Sequence, residues 1–141
     1  MLSDHDRQTL TAHLAPISKK VDVLLFTQMI GGSESGLIAK QVVDEVASLN
    51  DKITVLDKSF VLDTEDRAKY GVDKAPAVVV LGDGADTRIR FYGANTGYEF
   101  VSLVEAVLLA GTGNLELEPE TLTALAAVDT PLHIQVFSTP T

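Results

Sequence analysis

Cysteine is absent from the 141 residues. That absence excludes disulfides, thiolate metal sites and cysteine nucleophiles within this chain. Positive charge is scarce. Lys+Arg 11 against Asp+Glu 20 leaves a formal net charge of -9, and both nucleic acid and an anionic membrane surface would repel such a chain. Long apolar runs are missing too: Val23–Phe26, Ala75–Leu81 and Ala106–Ala110 are the longest, far short of a membrane span. Met1–Arg7 offer neither the basic stretch nor the apolar stretch of a secretory signal. The expected compartment is therefore the cytoplasm. Histidine is rare, and His5, His13 and His133 have no partner at metal-ligand spacing, so no metal is expected.

What remains is an ordinary globular composition, 45% hydrophobic and 22% charged, at a length that buries a sizeable core without staples. Ser3 can cap a first helix carrying Leu10 and Leu14 on one face. Pro16 and Lys19–Lys20 separate it from a strand at Val21–Thr27. A glycine-containing turn, Gln28–Gly36, leads into a helix reaching about Leu49, with Ile38, Val42, Val46 and Leu49 as its apolar stripe. Ile53, Val55 and Asp57 predict a short strand, and Thr64–Tyr70 a short helix stopped at Gly71. Ala75-Pro76 opens a buried strand at Ala77–Leu81, and Gly82–Asp86 is a hairpin turn. Thr87–Tyr92 alternates, with Ile89 and Phe91 on one face and Arg88 and Arg90 toward solvent. Gly93–Gly97 turns the chain into a long helix with Phe100, Leu103, Val104 and Val107 inward. The order α-β-α-β-α-β-β-α implies a mixed four-stranded sheet covered by helices.

Pro119–Val128 predicts one more helix and Leu132–Ser138 one more strand. Leu14–Thr27 laid over Leu125–Ser138 superposes Val21, Val23 and Leu25 on Leu132, Ile134 and Val136. This predicts residues 1–115 as one unit, with 116–141 as a linker helix and the first strand of a second, truncated copy. Leu132–Phe137 would then be an apolar edge that joins the first sheet, pairs with a second molecule, or frays.

Few constellations carry chemistry. Gly31 and Gly36 have phosphate-loop spacing, but Leu37 and Ile38 stand where Lys and Ser or Thr are needed, and Glu34 repels phosphate. Ser33 fits a nucleophile elbow on its Gly31 side and fails at Ser35, so Ser33 or Ser35 is expected to cap the helix. Asp83 and Asp86 belong to a solvated turn, and Glu116, Glu118 and Glu120 to an acidic linker. Tyr92–Phe100 is expected to be a packed corner. Ala75-Pro76, opening a central strand opposite the first strand's loop, is where the fold can impose a cis bond.

Together these elements resemble the thioredoxin fold. More narrowly they are similar to the N-terminal unit of the tandem-thioredoxin protein disulfide oxidoreductases, the glutaredoxin-like domain proteins. The resemblance rests on Phe26-Thr27, Ala47–Lys52, Lys74–Ala77, Arg90–Phe100 and Gln135–Thr141. The stretch with Gly93, Gly97 and Glu99-Phe100 also resembles the N-terminal region of the flavoprotein subunit of bacterial alkyl hydroperoxide reductase, and thioredoxin-reductase-like flavoproteins are a third candidate parent. The resemblance implies cell redox homeostasis through a Cys-x-x-Cys in a downstream unit, beyond Thr141. It implies that Ser33 and Gly36 occupy the positions of a Cys-x-x-Cys lost from this unit, leaving it a degenerate active site. It implies a groove framed by Ala75 and Pro76. The expected partners are the downstream unit, a reductase or an extended protein substrate. No cofactor is expected in this chain, and FAD and NAD(P)H enter only with a flavoprotein parent.

Overall fold

The computed structural model describes residues 2–28 and 33–138. The elements in chain order are α1 (Asp4–Leu14), β1 (Val21–Thr27), α2 (Glu34–Ala47), β2 (Ile53–Ser59), α3 (Thr64–Lys69), β3 (Ala77–Gly82), β4 (Ala85–Tyr92), α4 (Tyr98–Thr112) and α5 (Pro119–Ala126). The four strands form one sheet in the order β2-β1-β3-β4. β1 pairs parallel with β2, Val21 beside Ile53, and antiparallel with β3, Phe26 beside Ala77. The sheet is therefore mixed, with β1 and β3 central and apolar along nearly their whole length, as strands covered on both faces must be.

α2 and α4 pack against one face of the sheet. There Val21, Val23, Leu25, Val78 and Val80 meet Val43, Val46, Leu103, Val104 and Val107, with Leu14 and Ile17 closing one end. Leu24, Phe26, Ala77, Val79 and Leu81 form the second core, on the opposite face, with Val72, Phe60 and Tyr70 packed on them. α1 is held from outside. Ser3 and Asp6 form a reciprocal capping box, and Arg7 reaches Glu45 of α2 at 2.8 Å.

Several expectations shift in detail. Of the expected α2 stripe Ile38, Val42, Val46 and Leu49, Val46 and Leu49 are buried, but Ala39 and Val43 take the inward places of Ile38 and Val42, because the sheet lies to one side of that row and leaves those two half-buried at its margin. Arg90 does not face solvent. It forms a two-pronged bond to Asp86, with 2.9 and 2.7 Å contacts, and donates through Nε to the Tyr70 carbonyl at 2.9 Å. The guanidinium thereby holds the Asp86 carboxyl below its ordinary range, against the opposing effect of burial. The β3–β4 pairing slips between Val79–Arg90 and Leu81–Asp86. Arg88 takes φ 64 within that irregularity.

The strand expected over Leu132–Ser138 is not formed. Residues 131–138 carry no secondary structure, and Ile134, Val136 and Phe137 are 82%, 85% and 90% exposed. A lone strand has no ladder partner for its amides and nothing to bury its apolar face against, so alternation alone does not make one. The residues Thr139–Thr141, which ended the expected repeat, lie outside the described residues.

Candidate functional site

The ends of β1, β2 and β3 meet the start of α2 around a cleft of about 720 Å³. Thr27 and Gln28 at the end of β1, Ser33, Gly36, Leu37 and Lys40 of α2, Asp57–Ser59 of β2, Leu62 and Asp63, and Ala75 and Pro76 line it. Such a crevice at the carboxyl ends of parallel strands is where α/β folds place ligands. The four residues singled out from the sequence, Ser33, Gly36, Ala75 and Pro76, all line this one cleft. The Ala75–Pro76 peptide bond is cis. The Gly93 amide donates to the Pro76 carbonyl at 3.0 Å, tying the β4–α4 corner to that wall.

Ser33 stands at the N-cap of α2 with extended backbone, φ -73 and ψ 156, yet its side chain caps nothing. Its Oγ lies 2.6 Å from Ser35 Oγ instead, so the capping expected of either serine is not made by Ser33. Gly36 sits in the first helical turn, its amide donating to the Ser33 carbonyl at 2.9 Å. A Cβ added at Gly36 would have its nearest neighbour at 3.8 Å, so this position accepts a side chain. Gly31, the other glycine weighed for phosphate binding and for a nucleophile elbow, lies outside the described residues.

The charged wall was not singled out from the sequence. Lys40 Nζ lies 2.6 Å from Asp44 and 3.2 Å from Asp57. Burial works against its charge, but the hydrogen bonds to Asp44 and Asp57 outweigh that effect and raise its pKa. Lys58 pairs with Asp66 at 2.6 Å, a bond that raises the lysine pKa as well. The i, i+4 spacing of Lys40 and Asp44 is readable in sequence, whereas the approach of Asp57 depends on how α2 crosses the sheet. Apolar side chains flank this wall, Leu37 70% and Leu62 78% exposed. Among the described residues no group of three or more His, Cys, Asp or Glu is placed to hold a metal ion.

Chemically the cleft offers the Ser33 hydroxyl at a helix start and the Ser59 hydroxyl at the end of β2, paired lysines and carboxylates, and exposed leucines. It offers no thiol. Thiol–disulfide exchange proceeds by attack of a thiolate on sulfur, and a serine hydroxyl neither ionises in that range nor forms an S–S bond. The arrangement cannot exchange electrons with a partner by that route.

The sheet order, the cis-proline and the helix start facing it define a thioredoxin-like fold, in a chain that has no cysteine. No protein-family model matches the chain. The chain is similar to the N-terminal part of the alkyl hydroperoxide reductase protein AhpF. Against the structure of AhpF from Enterococcus faecalis (C503A mutant) the identity is 32% and the TM-score 0.82, over 89% of this chain and 60% of that one. AhpF of Escherichia coli is 28% identical over 112 residues, 79% of this chain and 19% of that protein. A protein disulfide oxidoreductase from Aeropyrum pernix shares the fold, at 22% identity and a TM-score of 0.76 over 90% of this chain and 55% of that one. The chain spans about a fifth of the length of the curated relatives it matches.

Proposed function

We propose that this chain is the redox-silent N-terminal thioredoxin-like unit of a larger thiol–disulfide oxidoreductase. Its role there is to dock and orient a downstream Cys-x-x-Cys unit. One observation carries the reading: the cleft framed by cis-Pro76 presents Ser33 and Gly36 in a chain that has no cysteine at all. The proposed parent is an alkyl hydroperoxide reductase protein of the AhpF type. The identity of 32% to that protein, against 22% to the disulfide oxidoreductase, favours this choice. Any FAD or NAD(P)H chemistry then belongs to further parts of the parent, and no residue of this chain is asked to hold them. No helix among the described residues is long and apolar enough to cross a membrane, and the proposed compartment is the cytoplasm.

In this role the fold contributes position rather than chemistry. Holding two groups in a fixed relative geometry lowers the entropic cost of their reaction. A rigid unit joined to an active one also raises the effective concentration of whatever it holds. The chain alone should show no disulfide reduction above blank in an insulin assay with dithiothreitol, and measurable turnover would overturn the silent assignment. Joined to a thioredoxin-like unit that carries a Cys-x-x-Cys, it should accelerate that unit's reaction with a reductase. Equal rates with and without this chain would remove the docking role.

A second reading, a peptide-binding module, is favoured by the cleft volume and the exposed Leu37 and Leu62 beside it. Titration with an unfolded apolar peptide should then shift the amide resonances of Ser33 and Ala75. Shifts confined to the opposite sheet face would discard it.

A further inference from the structure

The corner joining β4 to α4, residues 93–97, carries a polar side chain that the cleft does not use. Asn95 is 1% exposed. Neither its Nδ2 nor its Oδ1 has a hydrogen-bond partner among the described residues. A primary amide brings two donors and a two-lone-pair acceptor into that interior, and leaving all of them unpaired is destabilising. Its neighbours Thr96, Gly97 and Tyr98 are exposed, so this one side chain turns inward from a surface loop.

Backbone conformation alone does not account for an asparagine here. Asn95 has φ 53, a left-handed conformation that asparagine tolerates and glycine adopts more easily. The same corner already uses glycine for that purpose at Gly93 and Gly97, with φ 94 and 62. The side chain itself must therefore be what position 95 supplies.

We infer that the Asn95 amide binds an internal water molecule at the β4–α4 corner. An internal water takes two to four polar partners, roughly three in the usual case. The amide supplies a donor and an acceptor. α4 starts three residues later, at Tyr98, without a side-chain cap, leaving backbone amides near in the chain to complete the shell. The hydrated corner also carries the Gly93 amide that holds the Pro76 carbonyl. Asn95 is thus a positioning residue for the proline wall of the cleft, acting through the backbone of its own loop. None of this depends on what the cleft binds.

The test uses the whole chain in solution. Water-selective NOE spectroscopy should show a long-lived water contact to the Asn95 side-chain amide protons. Asn95→Gly is compatible with the left-handed backbone and removes the amide together with its single methylene. It should lower Tm by roughly 2–8 °C and shift the Gly93 amide resonance. An Asn95 side chain with no water contact, or one bonded directly to a protein group, overturns the inference. A glycine variant as stable as the parent chain, with the Gly93 resonance unmoved, overturns it as well.

Discussion

Lys40 and Asp57 meet across the cleft, Nζ to Oδ2 at 3.2 Å, linking the helix that carries Ser33 and Gly36 to the edge strand beside it. Each is partly exposed, so the pair contributes little to stability, as solvent-screened ion pairs do. It does fix where the first turns of α2 stand relative to β2.

The pH dependence of that link has a definite sign. The folded pKa of Lys40 lies above its ordinary value, so its contribution is complete below the unfolded lysine pKa, about 10.4, and is lost as pH rises through the higher folded value. Urea denaturation of the parent chain and of Lys40→Met should therefore differ at pH 8 and draw together as pH rises beyond the ordinary lysine range. A difference that grows with pH would contradict the assignment.

Two glycines are fixed by close approach. A Cβ on Gly82 would stand 2.6 Å from the Ala110 carbonyl oxygen, and one on Gly111 2.6 Å from Ile17 Cγ2. Gly82→Ala and Gly111→Ala should each destabilise by about 1–3 kcal/mol, the usual result of overpacking. Gly36→Ala, whose Cβ would meet Thr27 Cγ2 at an ordinary contact distance of 3.8 Å, should instead stabilise by roughly 0.5 kcal/mol through helix propensity. Chemical denaturation of the three variants orders them, and a neutral Gly82→Ala would show that α4 stands off the sheet.

Introducing sulfur tests the proposed degenerate site directly. Ser33 at the helix N-cap and Gly36 in the first turn are where the electrostatics of a helix start stabilise a thiolate, although Glu34 opposes it. The double variant Ser33→Cys/Gly36→Cys should form an intrachain disulfide and gain measurable insulin reduction, while each single variant stays at blank. Two thiols still titratable after air oxidation would show that the two positions are not at bonding geometry.

The exposed segment 131–138 should behave as an adhesive rather than a support. Removing the residues after Val128 should leave Tm unchanged and abolish any rise of scattering-derived mass with concentration, since Leu132, Ile134, Val136 and Phe137 are 72–90% exposed. A fall in Tm on truncation would mean that the segment packs onto the sheet.

The elements and their order are legible in the residues alone. β1 and β3 announce themselves as short, dense apolar runs, because central strands are buried on both faces. The hairpin declares itself through Asp83-Gly84, with φ 53 and 80 in the folded chain, and the absence of cysteine excludes thiol chemistry within this chain. Packing in three dimensions settled whatever depends on a neighbour. It chose Val43 over Val42 as the inward residue of α2, because a helix face is buried only where the sheet lies. It turned Arg90 from a solvent residue into a clamp on Asp86 and Tyr70, through an irregularity no alternation reveals. In the corner expected to be packed it buried Asn95 and left Tyr98 78% exposed. The tail shows the converse: Leu132–Ser138 repeats the pattern of β1 and forms no strand, because hydrogen-bond ladders and apolar burial belong to pairs of segments and a pattern describes only one.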